Sequence, residues 1–95
     1  MTNEELATKI TEKISGIGGL ENSLKFDFGD DGCLSLSGEA ATTEDLDADC
    51  TIVITKENFL ELLEGKLDPM MAFMGGKIKI EGDMGVAMKL QSIFK

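Results

Sequence analysis

Eighteen carboxylates and no histidine set the first limit on the chemistry this chain can perform. Without an imidazole, neither a Ser-His-Asp nor a Cys-His nucleophilic centre can be assembled, and zinc sites of the usual Cys/His kind are equally excluded. Carboxylate pairs are plentiful, but 18 acids in 95 residues produce pairs by chance, and nothing singles out one pair as a general acid and base. Cys33 and Cys50 lack Cys-x-x-Cys spacing and read as two reduced thiols. Cys50 is in phase with Ile52 and Ile54, whereas Cys33 is out of phase with Leu34 and Leu36, which leaves their separation in space open. Gly75-Gly76-Lys77 has no glycine at Walker spacing, and Gly16-Ile17-Gly18-Gly19 follows a helical pattern rather than a strand, so neither is a nucleotide fingerprint. Asp27, Asp31 and Gly32 fit positions 1, 5 and 6 of an EF-hand loop. Glycines 29 and 38 stand where a ligand and the bidentate Glu are needed, so a hairpin tip is expected instead. No metal and no cofactor are expected.

The positive signal is apolar. Five of the six methionines fall between Met70 and Met88, interleaved with Phe73. Asp68 suits an N-cap and Pro69 the first helical position, after which Met70, Met71, Ala72, Phe73 and Met74 project all round a short helix ended by Gly75 and Gly76. A helix apolar on every side is buried or lipid-facing, and this one is too short to span a bilayer. Lys77 to Glu81 alternates as a half-buried strand does. Beyond Gly82 and Asp83, Met84 to Phe94 return to helical spacing. Val86, Ala87, Leu90, Ile93 and Phe94 form one apolar arc, and Met84, Met88 and Gln91 a separate flank. Methionine also fills gaps in ordinary cores, so composition alone leaves core and ligand pocket both open.

The elements that must position this stretch come earlier in the chain. Thr2 and Glu5 suit a capping box, followed by a helix with Leu6, Ala7, Ile10, Ile14 and Ile17 on one stripe. Leu24 to Phe28 and Cys33 to Ser37 alternate around an Asp-Gly turn, which predicts a hairpin. Residues 38–49 form an acidic connector, read as a solvated loop with a short strand near residues 40–43. Thr51 to Thr55 is β-branched throughout, which suits a central strand covered on both faces. Thr55 caps a further helix with Phe59, Leu60, Leu62 and Leu63 inward. This order predicts one α+β domain over residues 1–95: a mainly antiparallel sheet with helices on one side.

The run Gly-Lys-x-Asp-Pro-x-x-Ala-Phe-x-x-Gly-Lys-x-Lys-Ile-x-Gly-Asp-Met-Gly-x-Ala-Met-Lys-Leu, from Gly65 to Leu90, resembles the sterol carrier protein 2 family of lipid-binding domains. The likeness extends more loosely over Lys25 to Thr55, including Ala48 to Ile52. Differences include Gly75 where the family often has a polar residue, the lack of Trp, and an Ile-Phe-Lys end in place of a peroxisomal Ser-Lys-Leu. The resemblance implies a five-stranded α+β fold with an apolar ligand cavity between sheet and helices. It also implies non-catalytic lipid binding and transfer, with sterol, fatty acid, fatty acyl-CoA and phospholipid all compatible. Phe59, Leu63, Met70, Met71, Phe73, Met74, Met84 and Met88 are the candidate lining, and Gln91 the candidate headgroup contact. Two alternatives stand beside it: a protein-interaction module using the same Met-rich face, and an accessory domain of a lipid-metabolising enzyme.

Charge bears on partners. Residues 1–49 carry twelve acids and three lysines, while residues 50–95 balance at six of each, with no arginine anywhere. Nucleic acid is excluded as a partner, since binding it requires clustered cations and stacking aromatics. The lysine excess from Lys66 onward predicts weak, transient contact of the Lys77, Lys79, Lys89 and Lys95 side with anionic membrane surfaces. The acidic N-terminus has no apolar segment of signal-peptide type, and a cytoplasmic monomer is expected.

Overall fold

The first helix is fixed by its ends. In this computed structural model, which describes residues 2–88, the Thr2 hydroxyl accepts the Glu5 N–H at 3.2 Å. The Glu5 carboxylate accepts the Thr2 N–H at 3.1 Å. This is the expected capping box, and these hydrogen bonds hold the Glu5 carboxyl below its usual value. Helix α1 (Asn3–Gly16) buries Leu6, Ala7, Ile10 and Ile14, and Gly18 and Gly19 then turn the chain into strand β1 (Leu20–Asp27).

A 3₁₀ turn at Gly29–Asp31 joins β1 to β2 (Cys33–Gly38), and β3 (Ala40–Thr42) extends the meander. Strands β4 (Cys50–Ile54) and β5 (Ile78–Gly82) complete a five-stranded sheet of order β3-β2-β1-β4-β5. Three of its pairings are antiparallel, as expected, but β1 and β4 run parallel, with Phe26 beside Ile52. The connector between β3 and β4 accounts for this. It crosses the outer face of the sheet strand by strand: the Glu44 carbonyl accepts from Ser35 Oγ of β2 at 2.6 Å, Asp45 meets Lys25 Nζ of β1 at 2.6 Å, and Asp49 N–H donates to Ser23 Oγ at 2.9 Å. Strand β3 already runs in the direction of β1, so a chain carried sideways from it enters β4 parallel to β1. The acidic connector is thus exposed along much of its length yet pinned, rather than a free solvated loop.

Register sorts the side chains. Leu24, Phe26, Leu34, Leu36, Cys50, Ile52, Ile54 and Ile78 occupy paired positions on one face and are buried. Lys25, Asp27, Cys33, Thr51, Val53, Lys79 and Glu81 share the other. Central strand β4 therefore has one face in the core and one, carrying Thr51 and Val53, only half-buried, in place of the expected double cover. The connector spans only part of that face, and no helix packs on it among the described residues. Helix α2 (Lys56–Leu63), capped by Thr55 on the Asn58 N–H, sends Phe59 into the core against Phe26 and Phe28, with ring centroids 4.7 and 5.1 Å apart.

Candidate functional site

Helix α3 (Pro69–Met74) begins as its sequence dictates: the Asp68 carboxylate accepts the N–H groups of Met70 and Met71 at 2.8 and 3.2 Å, and Pro69 needs no partner. It ends where Gly76, at φ +76°, lets Lys77 N–H fold back onto the Ala72 carbonyl at 2.8 Å. Between these caps only Ala72 is buried. Of the two expectations for a helix apolar all round, buried or lipid-facing, burial holds on one side alone. Two turns of helix are too short to be enclosed by their neighbours, and Met71 and Met74 remain 67% and 77% exposed.

Strand β5 follows and turns Ile78 and Ile80 toward the helices. At its end Gly82, φ +101°, meets the β4 backbone so closely that a Cβ there would lie 2.5 Å from the Asp49 carbonyl oxygen. That carbonyl accepts the Asp83 N–H at 3.0 Å, and the Asp83 side chain caps the Gly85 N–H at 2.8 Å, which launches α4 (Met84–Met88). Val86 and Ala87 are buried, while Met84 and Met88 stay about half exposed. Leu90, Gln91, Ile93 and Phe94, with Lys89 and Lys95, lie outside the described residues.

The three segments enclose an apolar cleft of about 80 Å³. Pro69, Met70 and Phe73 of α3 form one wall, Ile78 and Ile80 of β5 the floor, and Met84, Ala87 and Met88 of α4 the opposite wall. No titratable group lines it among the described residues. Of the candidate lining residues, Met70, Phe73, Met84 and Met88 come together here. Met71 and Met74 point away from the cleft into solvent, Leu63 is half-buried against the core, and Phe59 is fully buried in the aromatic cluster. Pro69, Ile78, Ile80 and Ala87 are additional. The strict alternation of residues 77–81, which puts both isoleucines on one face, was the signal for two of them.

The two thiols lie on opposite faces of the sheet. Cys50 pairs with Leu24 on the core side and is fully buried, which raises its pKa. Cys33 pairs with Asp27 on the outer side, where partial burial and then Asp45 raise its own. Neither forms a disulfide.

A mixed five-stranded sheet with helices over one face and a Met-lined cleft at the β5 edge defines an α+β fold. The chain belongs to the SCP-2 sterol transfer family, whose model matches residues 3–95. It is 48% identical over 56 residues to sterol carrier protein 2 from Homo sapiens, covering 59% of this chain and 10% of that protein. It is 46% identical over 57 residues to hydroxysteroid dehydrogenase-like protein 2 from Xenopus tropicalis, covering 60% of this chain and 13% of the relative. The chain thus spans about a tenth of the length of the curated relatives it matches. The solution structure of palmitated SCP2L2 from Aedes aegypti superposes with a TM-score of 0.76 at 19% identity, over 99% of this chain and 95% of that one, and so shares the fold.

Proposed function

We propose that this chain is a non-catalytic lipid-binding and transfer domain that holds the apolar body of its ligand in the cleft between α3, β5 and α4. The cleft itself carries the reading: eight apolar residues line it with no charge among them, in a chain of the SCP-2 sterol transfer family. Binding would come from desolvating the ligand's apolar surface, at about 25 cal/mol per Å² before the cost of immobilising it. A drug-sized ligand needs roughly 300–1,000 Å³, far more than about 80 Å³. The walls must therefore part, and methionine makes that cheap: Met70, Met84 and Met88 are unbranched, already partly in solvent, and can repack around a chain of variable length. Among the described residues the lining has neither nucleophile nor general base, which supports binding rather than turnover. An intracellular monomer is part of the same reading. Native mass spectrometry of freshly purified protein tests it. Co-purifying lipid that leaves on delipidation is the expected result; a protein that stays free of lipid and fails to bind a fluorescent fatty acid would refute it.

A second reading is favoured by one observation, the matching relatives being so much longer than this chain and including a dehydrogenase-like protein. In it the same cleft presents lipid to an enzyme, as an accessory domain.

A further inference from the structure

We propose that the outer edge of β5 pairs antiparallel with the β5 edge of a second copy of this chain, with Ile80 on the two-fold axis. Strand β5 ends the sheet, and no described element pairs with its far side. Pairing of Cys50 with Gly82 sets Asp83 opposite Asp49, where the Asp83 N–H donates to the Asp49 carbonyl at 3.0 Å. Lys79 and Glu81, in step with Asp83, therefore turn their backbone groups toward β4, and Ile78, Ile80 and Gly82 turn theirs outward. Edges guarded against such pairing carry prolines, bulges or like charges. Strand β5 has no proline, keeps one unbroken register with β4, and carries charges of both signs.

The order of those charges selects the partner. Lys79 and Glu81 flank Ile80, are exposed on the outer face of the sheet, and form no ion pair among the described residues. Across the sheet, the opposite charges in their rows are Asp27 for Lys79, beyond Val53, and Lys25 for Glu81, beyond Thr51. Each stands two strands away, about 9–10 Å by strand spacing, and Lys25 already meets Asp45 at 2.6 Å. In an antiparallel pair centred on Ile80, Lys79 falls opposite Glu81 of the second copy and Glu81 opposite its Lys79, about 4.5–5.5 Å apart at Cβ. These positions lie between hydrogen-bonded pairs, where side chains approach most closely. Ile78 then faces Gly82 of the copy, and the outward backbone groups of Ile78, Ile80 and Gly82 all gain partners. Sliding the copy by two residues sets Lys79 against Lys79 or Glu81 against Glu81, so charge fixes the register as well as the partner. Elsewhere the copies repel. Residues 1–49 hold the whole excess of −9, whereas from Pro69 to Met88 two lysines balance two acids. The opposite edge, β3, is three residues long and leads into the acidic connector. Pairing at β5 thus joins the neutral edges, and it is independent of what the cleft holds. The monomer of the lipid-transfer reading is the dilute end of this equilibrium.

The test is sedimentation velocity of the delipidated chain from about 1 µM to about 1 mM, with amide hydrogen exchange and thermal melting beside it. The parent should show a reversible monomer–dimer equilibrium, and the Ile78 and Ile80 amides should exchange more slowly as concentration rises. Lys79→Glu and Glu81→Lys should each weaken self-association by at least about tenfold, since each sets like charges opposite one another across the axis. The two changes shift net charge in opposite directions, so a general repulsion would weaken one and strengthen the other. An equimolar mixture of the two variants should associate as the parent does. So should the double exchange Lys79→Glu with Glu81→Lys, which retains the net −9. All should melt like the parent, both side chains being exposed. A parent that stays monomeric throughout overturns the edge pairing, as do single variants that follow net charge or a double exchange that fails to recover. A dimer without added protection at Ile78 and Ile80 also overturns it and assigns the interface to another face.

Discussion

Phe59 and Met88 are both apolar, and their surroundings give them opposite roles. Phe59 is fully enclosed between Phe26 and Phe28, so Phe59→Ala should cost about 3–5 kcal/mol, the usual loss for emptying a buried aromatic site. Met88 is 59% exposed on a cleft wall. Met88→Gln should shift the melting transition by no more than about 0.5 kcal/mol while weakening fatty-acid displacement, because its amide would be desolvated against an acyl chain without a partner. A Met88→Gln protein that melts as badly as Phe59→Ala, or binds like the parent, would return the methionines to ordinary core. The thiols offer a second contrast. An alkylating reagent should reach Cys33 first and Cys50 only through unfolding. Both pKa values are raised, so the unfolded chain's thiols ionise before the native ones, and stability should fall as pH climbs past the ordinary thiol value. Equal labelling rates for the two in the native protein would contradict the face assignment.

At the scale of elements, the β5–α4 junction is the part most sensitive to one atom. Gly82 adopts a φ that L side chains avoid and abuts the Asp49 carbonyl, which also holds Asp83. Gly82→Ala should therefore cost about 1–3 kcal/mol and loosen α4, seen as faster hydrogen exchange at the Ala87 amide, which bonds the Asp83 carbonyl at 3.2 Å. An unchanged melt with unchanged exchange would show that the close approach is not required. Asp49 ties three elements together: its side chain takes the Ser23 N–H at 3.1 Å, its N–H reaches Ser23 Oγ, and its carbonyl receives β5's successor. The acidic connector is thus the clamp that sets β4 beside β1.

For the molecule as a whole, a ligand held only by the folded chain makes binding and stability one measurement. A ligand that binds only the folded chain adds RT ln(1 + [L]/Kd), about 2.7 kcal/mol at a hundredfold excess over Kd. Titrating fatty acid should raise the melting temperature progressively for the parent and less for Met88→Gln. No rise for either, with displacement still seen, would mean that the probe binds the unfolded chain as well as the folded one and does not report on the cleft. Local patterns were sufficient for the pieces. The Thr2 capping box, Asp68-Pro69, the Gly75-Gly76 stop and the alternating strands each depend on groups a few residues apart, and backbone sterics and hydrogen bonding decide them wherever they stand. The motif from Gly65 to Leu90 carried the family because it spells out a helix, strand and helix start in order. Only tertiary structure decided which apolar residues met. Periodicity gives a side chain a face but not a neighbour, so Phe59 went to the core, Met70, Phe73, Met84 and Met88 to one cleft, and Met71 and Met74 to solvent. The parallel β1–β4 pair likewise followed from the path of the 43–49 connector across the sheet, held to β1 by contacts between residues 20 or more positions apart that no local pattern encodes.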